Sequence, residues 1–346
     1  MFTNALFYIP PEIAHKMAIF ALKNNFIPIK KVDLPRSLNI SLFNKSLKTP
    51  IGVAAGFDKN AEVIRPLLST GFSFVEVGTV TRYPQKGNKK PRVFRLVKEE
   101  AIINSLGFNN KGIDFVIKKV NDAKLNHCIF GINIGYNKTS HNPVQDYFEL
   151  VKKIYGLSNY ITLNISSPNT PGLRNFQKQE LLSELLTAIS QVRKLTDYAE
   201  SVPIMLKISP DISDNEKQDI VDLSLKYKVS GLIISNTSSE YHKLLENSYT
   251  NIQGGLSGKP IFDLSTKVLS EVYKITQQKL LLIGCGGVSS GYHAYEKIKA
   301  GASLIQLYTA IVYHGFNIAN KISLELAELL SADGFPTVSH AIGHNN

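Results

Sequence analysis

Two amides and two hydroxyls, Asn164, Ser166, Ser167 and Asn169, crowd the point where an apolar run stops and a Pro-Asn-Thr-Pro-Gly turn begins. The run Tyr160–Ile165 alternates Ile161, Leu163 and Ile165 with smaller or polar residues, the pattern of a buried strand. An amide such as Asn164 in that strand must find partners, because an unpaired one costs about 1–3 kcal/mol. Beyond Ser166 the chain turns through Pro168, Asn169, Pro171 and Gly172. Alone, the stretch would serve equally well as an Asn-Pro turn capping a helix. Its recurrence along the chain decides for a site.

The same pattern of apolar run followed by polar or glycine residues repeats. Ile51–Ala55 leads into Gly56, Phe57, Asp58, Lys59 and Asn60, and Phe74–Val77 leads into Gly78 and Thr79. Ile129–Ile134 ends in Asn133, and Ile204–Ile208 carries Lys207. Leu232–Ser235 runs into Asn236 and Thr237, Leu281–Ile283 into Gly284-Cys285-Gly286-Gly287, and Leu304–Leu307 into Tyr308 and Thr309. Segments of helical periodicity lie between most of these runs: Glu180–Leu195, Asn215–Lys226, Asp263–Thr276 and Gly291–Ala300. Strands alternating with helices predict an α/β fold, a closed (β/α)8 TIM barrel, with its site at the carboxyl ends of the strands. An open doubly wound sheet is the alternative, but its Gly-x-Gly-x-x-Gly turn is absent. The long interval from Val80 to Cys128 holds Arg92–Val97 and Ala101–Ile103, which predict a small hairpin inserted over the barrel mouth.

Gly254-Gly255-Leu256-Ser257-Gly258, Gly284–Gly287 and Tyr308-Thr309 fall around the last strands, where barrels hold phosphate on backbone N–H groups. Asn133, Asn164 and Lys207 would then face a planar ring with carbonyl and N–H edges. A lysine on a barrel strand is costly to bury unless it meets an anion. Flavin mononucleotide (FMN) meets both demands, with a phosphate and a ring that becomes anionic on reduction.

With 346 residues, 43% hydrophobic and 19% charged, the chain can bury a full core in one large domain or two ordinary ones. Cys128 and Cys285 form no Cys-x-x-Cys, so nothing points to a disulfide framework or a zinc site, and a reducing compartment fits. His340 and His344 alone have metal-like spacing, in a Gly- and Asn-containing tail; no metal is expected. The net charge of +11 favours anionic partners without choosing among them. A basic nucleic-acid binder would explain that charge but not the polar strand ends, so no nucleic-acid partner is expected.

No run reaches the ~18 apolar residues of a membrane span. No Lys or Arg precedes Lys16 to suggest a secretory signal. Phe2, Leu6, Phe7, Tyr8 and Ile9 lead into Pro10-Pro11, after which Glu12–Leu22 predicts a helix with Pro11 as its first residue. Ile13, Met17, Phe20 and Ala21 make one stripe, and Ala14, Ala18, Ile19 and Leu22 carry it around most of the helix. Only His15, Lys16 and Lys23 form a polar seam. Such a helix packs into the body of the protein or lies on a membrane surface, and its composition leaves both open.

Ala54-Ala55-Gly56-Phe57-Asp58-Lys59-Asn60, Asn104-Ser105-Leu106-Gly107-Phe108-Asn109-Asn110, the stretch Asn164 to Arg174, and Gly254-Gly255-Leu256-Ser257-Gly258 resemble the signatures of dihydroorotate dehydrogenases. The resemblance covers the chain to about Ser331. The block Leu6-Phe7 through Pro11-Glu12-Ile13-Ala14-His15 is similar to the N-terminal extension of the membrane-associated, quinone-reducing class. In that class the base is serine, here Ser167, where the soluble class has cysteine.

The resemblance implies oxidation of dihydroorotate to orotate in pyrimidine biosynthesis. A C5 proton goes to Ser167 and a C6 hydride to FMN, and a membrane quinone takes the electrons. It implies that Lys59, Asn104, Ser105, Leu106, Gly107, Phe108, Asn164, Asn169, Asn236 and Thr237 bind the pyrimidine. FMN would be held by Ala55, Gly56, Phe57, Asp58, Lys59, Thr79, Asn133, Asn164, Lys207, Ser235, Gly258, Gly287, Tyr308 and Thr309. A serine base needs a desolvated site, which closure of the loop Pro168–Phe176 could supply. Residues 1–40 become the quinone-access extension, with Ala18 and Phe20 facing the port; 41–335 are the barrel and 336–346 a tail. Lys23, Lys30, Lys31 and Arg36 would favour an acidic bilayer. The expectation is a monomer bound peripherally to the cytoplasmic side of a bacterial inner membrane.

Overall fold

Strands β3 (Ile51–Val53), β4 (Phe74–Val80), β7 (Phe130–Ile134), β8 (Tyr160–Asn164), β9 (Ile204–Ile208), β10 (Gly231–Ile234), β12 (Leu281–Cys285) and β13 (Leu304–Leu307) pair in parallel and close on themselves. The closing pair is β13 with β3, Ile305 opposite Ile51. The structure is a computed structural model that describes residues 7–30, 32–123, 125–195, 202–240, 245 and 252–346. Phe2, Leu6 and Lys31 lie outside the described residues. The predicted (β/α)8 barrel is the fold observed, and the helices Gln179–Leu195, Asp214–Lys226, Phe262–Thr276 and Gly291–Lys299 fall within a residue of their expected limits.

Strand alternation assigns the two faces. Ile161, Leu163, Ile204, Leu206 and Ile208 pack outward in the large core between barrel and helices. Tyr160 and Met205 belong to a separate cluster inside the barrel with Phe74, Ile233, Ile283 and Leu304. By the same period of two, Asn164 and Lys207 also point inward, and the register sets them directly opposite each other on β8 and β9.

Two additions shape the ends. A hairpin that the sequence analysis did not anticipate, β1 (Ile40–Leu42) and β2 (Lys45–Leu47), buries Leu42 and Leu47 against Phe74 and Tyr160 and plugs the amino end of the barrel. Over the carboxyl end lies the inserted sheet. It is three-stranded rather than the expected hairpin: β5 (Val93–Leu96) and β6 (Ala101–Asn104) are joined by β11 (Gly255–Gly258), antiparallel to β6. Gly254, just before β11, and Gly258 at its end thus have a job besides ligand contact. A Cβ on Gly254 would meet Asn104 O at 2.4 Å, and one on Gly258 would meet Glu100 O at 2.3 Å.

The N-terminal helix runs Pro11–Lys23 and opens on Pro11, as its fixed φ and missing N–H favour. At the other terminus, Val338 and Ala341 are buried, and Gly343 N–H donates to Ile298 O at 3.0 Å.

Candidate active site

The polar ends of the strands meet in one directed hydrogen-bond chain. Thr237 N–H donates to Asn236 Oδ1 at 2.8 Å, and Asn236 Nδ2 donates to Asn164 Oδ1 at 3.2 Å. Asn164 Nδ2 donates to Thr79 Oγ1 at 2.9 Å, and Thr79 donates to Asn133 Oδ1 at 2.6 Å. Asn133 Nδ2 ends the chain on Glu76 Oε1 at 2.8 Å. Four barrel strands therefore lock one another's amides, which answers the question the buried Asn164 raised. Glu76 itself is fully buried inside the barrel.

Above this chain lie two polar hollows, of about 130 Å³ and about 80 Å³. They share Ala55, Lys207, Asn236, Thr237, Ser257, Tyr308 and Thr309, and so form one cleft. The larger is lined by Gly56, Lys59, Thr79, Asn104, Leu106, Gly107, Phe108, Asn164, Ser167 and Asn169. The smaller adds Ser235, Gly258, Gly286 and Gly287. Most of the residues expected from sequence thus converge. Asn133 stands beneath Thr79, whose hydroxyl donates to it, and lines neither hollow. Ser105 lies in the adjoining loop, its N–H donating to Arg92 O at 2.8 Å, and lines neither hollow.

Phe57 and Asp58, expected to hold the cofactor, line neither hollow. Phe57 packs on His15, Tyr308 and Phe316. Asp58 accepts from the N–H groups of Glu62 and Val63, at 2.8 Å each, and so fastens the turn before the helix Ile64–Ser69. Burial pushes its carboxyl pKa up, against those hydrogen bonds. Both residues line a different cavity, described below.

Ser167 is 7% exposed, and its Oγ accepts the Asn169 N–H at 3.3 Å. Asn169 Nδ2 reaches Asn104 O at 3.0 Å, which ties the loop to the inserted sheet. Arg174, quoted in the motif but given no role by the sequence analysis, clamps the loop from behind: Nε donates to Ser166 O, Nη2 to Thr237 O, and Nη1 to Asp211 Oδ2 at 2.9 Å. Lys59 Nζ donates to Gly56 O at 2.6 Å. Burial, with the Arg92 charge, brings the Lys59 ammonium down to about 8. Burial holds the Tyr308 phenol up at about 12, and therefore neutral.

A third cavity, of about 480 Å³, lies beneath the N-terminal helix. Ala14, His15, Ala18 and Ile19 line it from that helix, and Val93, Ile102, Ile311, Val312 and Phe316 from the body. It adjoins the polar cleft at Lys59, Leu106 and Tyr308, which line both. Burial and the Lys59 charge bring the His15 imidazole down to about 4, so it is neutral at physiological pH. The far side of the helix carries Ile13, Met17 and Phe20, about half exposed, followed by Phe26 and Ile29. Phe20, expected at the port, faces outward instead, at 59% exposure. The helix is apolar nearly all round because it has a cavity on one side and an open apolar face on the other. Glu12 fastens it to the inserted sheet by accepting from Arg92 Nη2 at 2.8 Å.

Comparison with known proteins places this architecture. A family model for dihydroorotate dehydrogenase matches residues 37–330. The chain is 43% identical to the dihydroorotate dehydrogenase (quinone) of Agrobacterium fabrum, covering 97% of this chain and 93% of that one. It is 42% identical to the mitochondrial dihydroorotate dehydrogenase (quinone) of Oryza sativa subsp. japonica, over 98% of this chain and 78% of the relative. The crystal structure of DHODH from Eimeria tenella in complex with ferulenol superposes with a TM-score of 0.92 at 36% identity, covering 97% of this chain and 95% of that one. The chain belongs to the dihydroorotate dehydrogenase family, in its quinone-linked class.

Proposed function

We propose that the polar cleft takes FMN and dihydroorotate together, that Ser167 is the base, and that the apolar cavity brings a quinone to the same place. As a dihydroorotate dehydrogenase (quinone), the enzyme converts dihydroorotate to orotate in pyrimidine biosynthesis, using FMN. When bound, FMN supplies the acceptor for the C6 hydride and the store from which quinone receives two electrons.

The residues fit that cofactor. Lys207 is 4% exposed and has no hydrogen-bond or ion-pair partner among the described residues, a position that calls for an anionic partner. Thr237 Oγ1 and Gln306 Oε1 are buried without partners, and both residues line the cleft. The glycine turn at Gly286-Gly287 and the neighbouring Gly258 and Thr309 offer backbone N–H groups and a hydroxyl to a phosphate.

The chain's own side chains supply the rest. Asn104, Asn164, Asn169 and Asn236 offer both donors and acceptors to a pyrimidine's imide edges, with Asn164 and Asn236 oriented by the hydrogen-bond chain. Lys59 offers its charge to the substrate carboxylate. Ser167, nearly closed from water, takes the C5 proton as the C6 hydride departs. Quinone, arriving through the apolar cavity, leaves with two electrons and two protons as quinol.

The observation that carries this reading is that the apolar cavity and the polar cleft share Lys59 and Tyr308 as lining, which sets them side by side. The outward apolar face of Pro11–Lys23 supports peripheral attachment to a membrane, and the bacterial relatives favour a bacterial inner membrane; the cytoplasmic face is part of the same proposal. One chain supplies the lining of both cavities, which supports a monomer. Orotate titrated against the bound flavin's absorption tests the cleft: Asn169→Ala should weaken it about tenfold or more for lost paired hydrogen bonds. An unchanged affinity would move the pyrimidine elsewhere.

A further inference from the structure

Lys297 is fully buried, yet it belongs to none of the polar cleft. It stands on the helix Gly291–Lys299 and donates to Ser265 Oγ at 2.8 Å and Thr266 Oγ1 at 3.0 Å. Its ammonium lies 5.2 Å from the centre of the Phe262 ring. No carboxylate pairs with it among the described residues. A buried ammonium met only by hydroxyls and a ring is short of an anion.

The position shows where that anion belongs. Ser265 Oγ lies 3.1 Å from Gly286 O, and a Cβ on Gly287 would strike Phe262 Cα at 2.5 Å. The first turn of the helix Phe262–Thr276 is thus pressed against the back of the glycine turn whose front lines the cleft. The stem of Lys297 runs under the same turn, with Cδ 3.1 Å from where a Gly284 Cβ would stand.

We propose that Lys297 is a buried counter-charge for the cofactor phosphate, acting from behind the Gly286-Gly287 turn through its field and through Ser265. This rests on the proposed placement of the phosphate on that turn. Lys297 does not touch the phosphate; it is a positioning residue.

Its titration agrees. Burial brings the ammonium down to about 7, with Cys285 and Asp263 pulling it back up. His293, facing the same helix turn, is lowered by burial and by the Lys259 and Lys297 charges, and raised weakly by Asp263 and Glu100. A dianionic phosphate would restore the Lys297 proton. Binding of the phosphate is then linked to proton uptake above pH 7, and FMN affinity falls as pH rises from there.

The test is flavin exchange on the full-length holoenzyme. Protein is incubated with equal FMN and riboflavin, which lacks the phosphate, and the bound flavin is analysed at pH 7, 8 and 9. Wild type should prefer FMN, by less as pH rises. Lys297→Met and Lys297→Gln should cut the preference by about 10- to 100-fold, the effect of one charge at partly screened range, and flatten its pH dependence. Riboflavin uptake should be unchanged. Thr309→Val, altering a residue at the proposed phosphate itself, is the control. If it lowers the preference while both Lys297 variants match wild type, the counter-charge is refuted and the placement stands. If none of the three lowers it, the placement fails too. If both Lys297 variants take up neither flavin, Lys297 is a folding residue, and the inference is equally overturned.

Discussion

Asn133 Nδ2 donates to Glu76 Oε1 at 2.8 Å, and the other oxygen of Glu76 accepts from Tyr160 OH, Thr162 Oγ1 and Gln306 Nε2. An acceptor-only group at the foot of the barrel therefore terminates a chain of donors that begins at Thr237 N–H. Because every link points toward Glu76, the amides above it can present only one pattern of edges to a ligand. Burial, with the Glu76 carboxylate beside it, holds the Tyr160 phenol well above its ordinary range.

Glu76→Ala should therefore cost stability as well as flavin. It strands several buried donors, each worth about 1–3 kcal/mol, and a loss of about 3 kcal/mol or more is expected in urea unfolding. Glu76→Gln should lose less than half as much, because its amide oxygen keeps one acceptor for the donors around it. Equal losses for the two variants would show that charge, not hydrogen-bond satisfaction, is what Glu76 provides.

Much of this was legible in the sequence, for identifiable reasons. The barrel strands were found because each is an apolar run ending in polar residues or glycine. Lys207 stood out as a lone cation in such a run. The hairpin β1–β2 is not legible because Ile40-Ser41-Leu42 and Lys45-Ser46-Leu47 are short mixed stretches with no apolar run to mark them. Glu76 was passed over because its partners come from β7, β8 and β13, far away in sequence. Lys297 looked like any surface lysine of an amphipathic helix, and only packing shows it buried. The glycines of β11 were assigned to ligand contact alone because a strand of Gly-Leu-Ser-Gly lacks the β-branched residues that mark one.

Removing the base should separate binding from chemistry. Ser167→Ala should retain flavin and bind orotate, while flavin reduction by dihydroorotate slows by about 10²–10⁴-fold, the usual worth of a general base. Near-normal reduction in a rapid-mixing experiment would remove Ser167 from the mechanism.

The lowered Lys59 pKa gives a pH dependence with a definite sign. Below about 8 the ammonium is charged and available to a carboxylate; above it the free enzyme loses that charge. The orotate dissociation constant should be level up to pH 8 and then rise, by up to about tenfold per unit. In Lys59→Met the constant should be raised throughout and the rise abolished. A rise that survives the substitution would assign the titration to another group.

The two faces of the N-terminal helix should separate by function. Ala18→Asp puts a charge in the apolar cavity and should slow reoxidation by a long-tailed quinone, with little effect on a small hydrophilic acceptor. Phe20→Asp puts its charge on the outward face and should weaken liposome binding, leaving reoxidation by a detergent-dispersed quinone near normal. If the two variants behaved alike, the division into port and membrane face would be wrong.

The most direct measurement follows the flavin through both halves of the reaction. Under anaerobic rapid mixing, dihydroorotate should bleach the flavin band completely with no quinone present. A second mixing with long-tailed quinone should restore the band, rapidly in wild type and slowly in Ala18→Asp, with the first phase unchanged in that variant. If dihydroorotate leaves the band intact, the polar cleft is not the oxidation site. If quinone reoxidises Ala18→Asp as fast as wild type, the cavity beneath the helix is not its route.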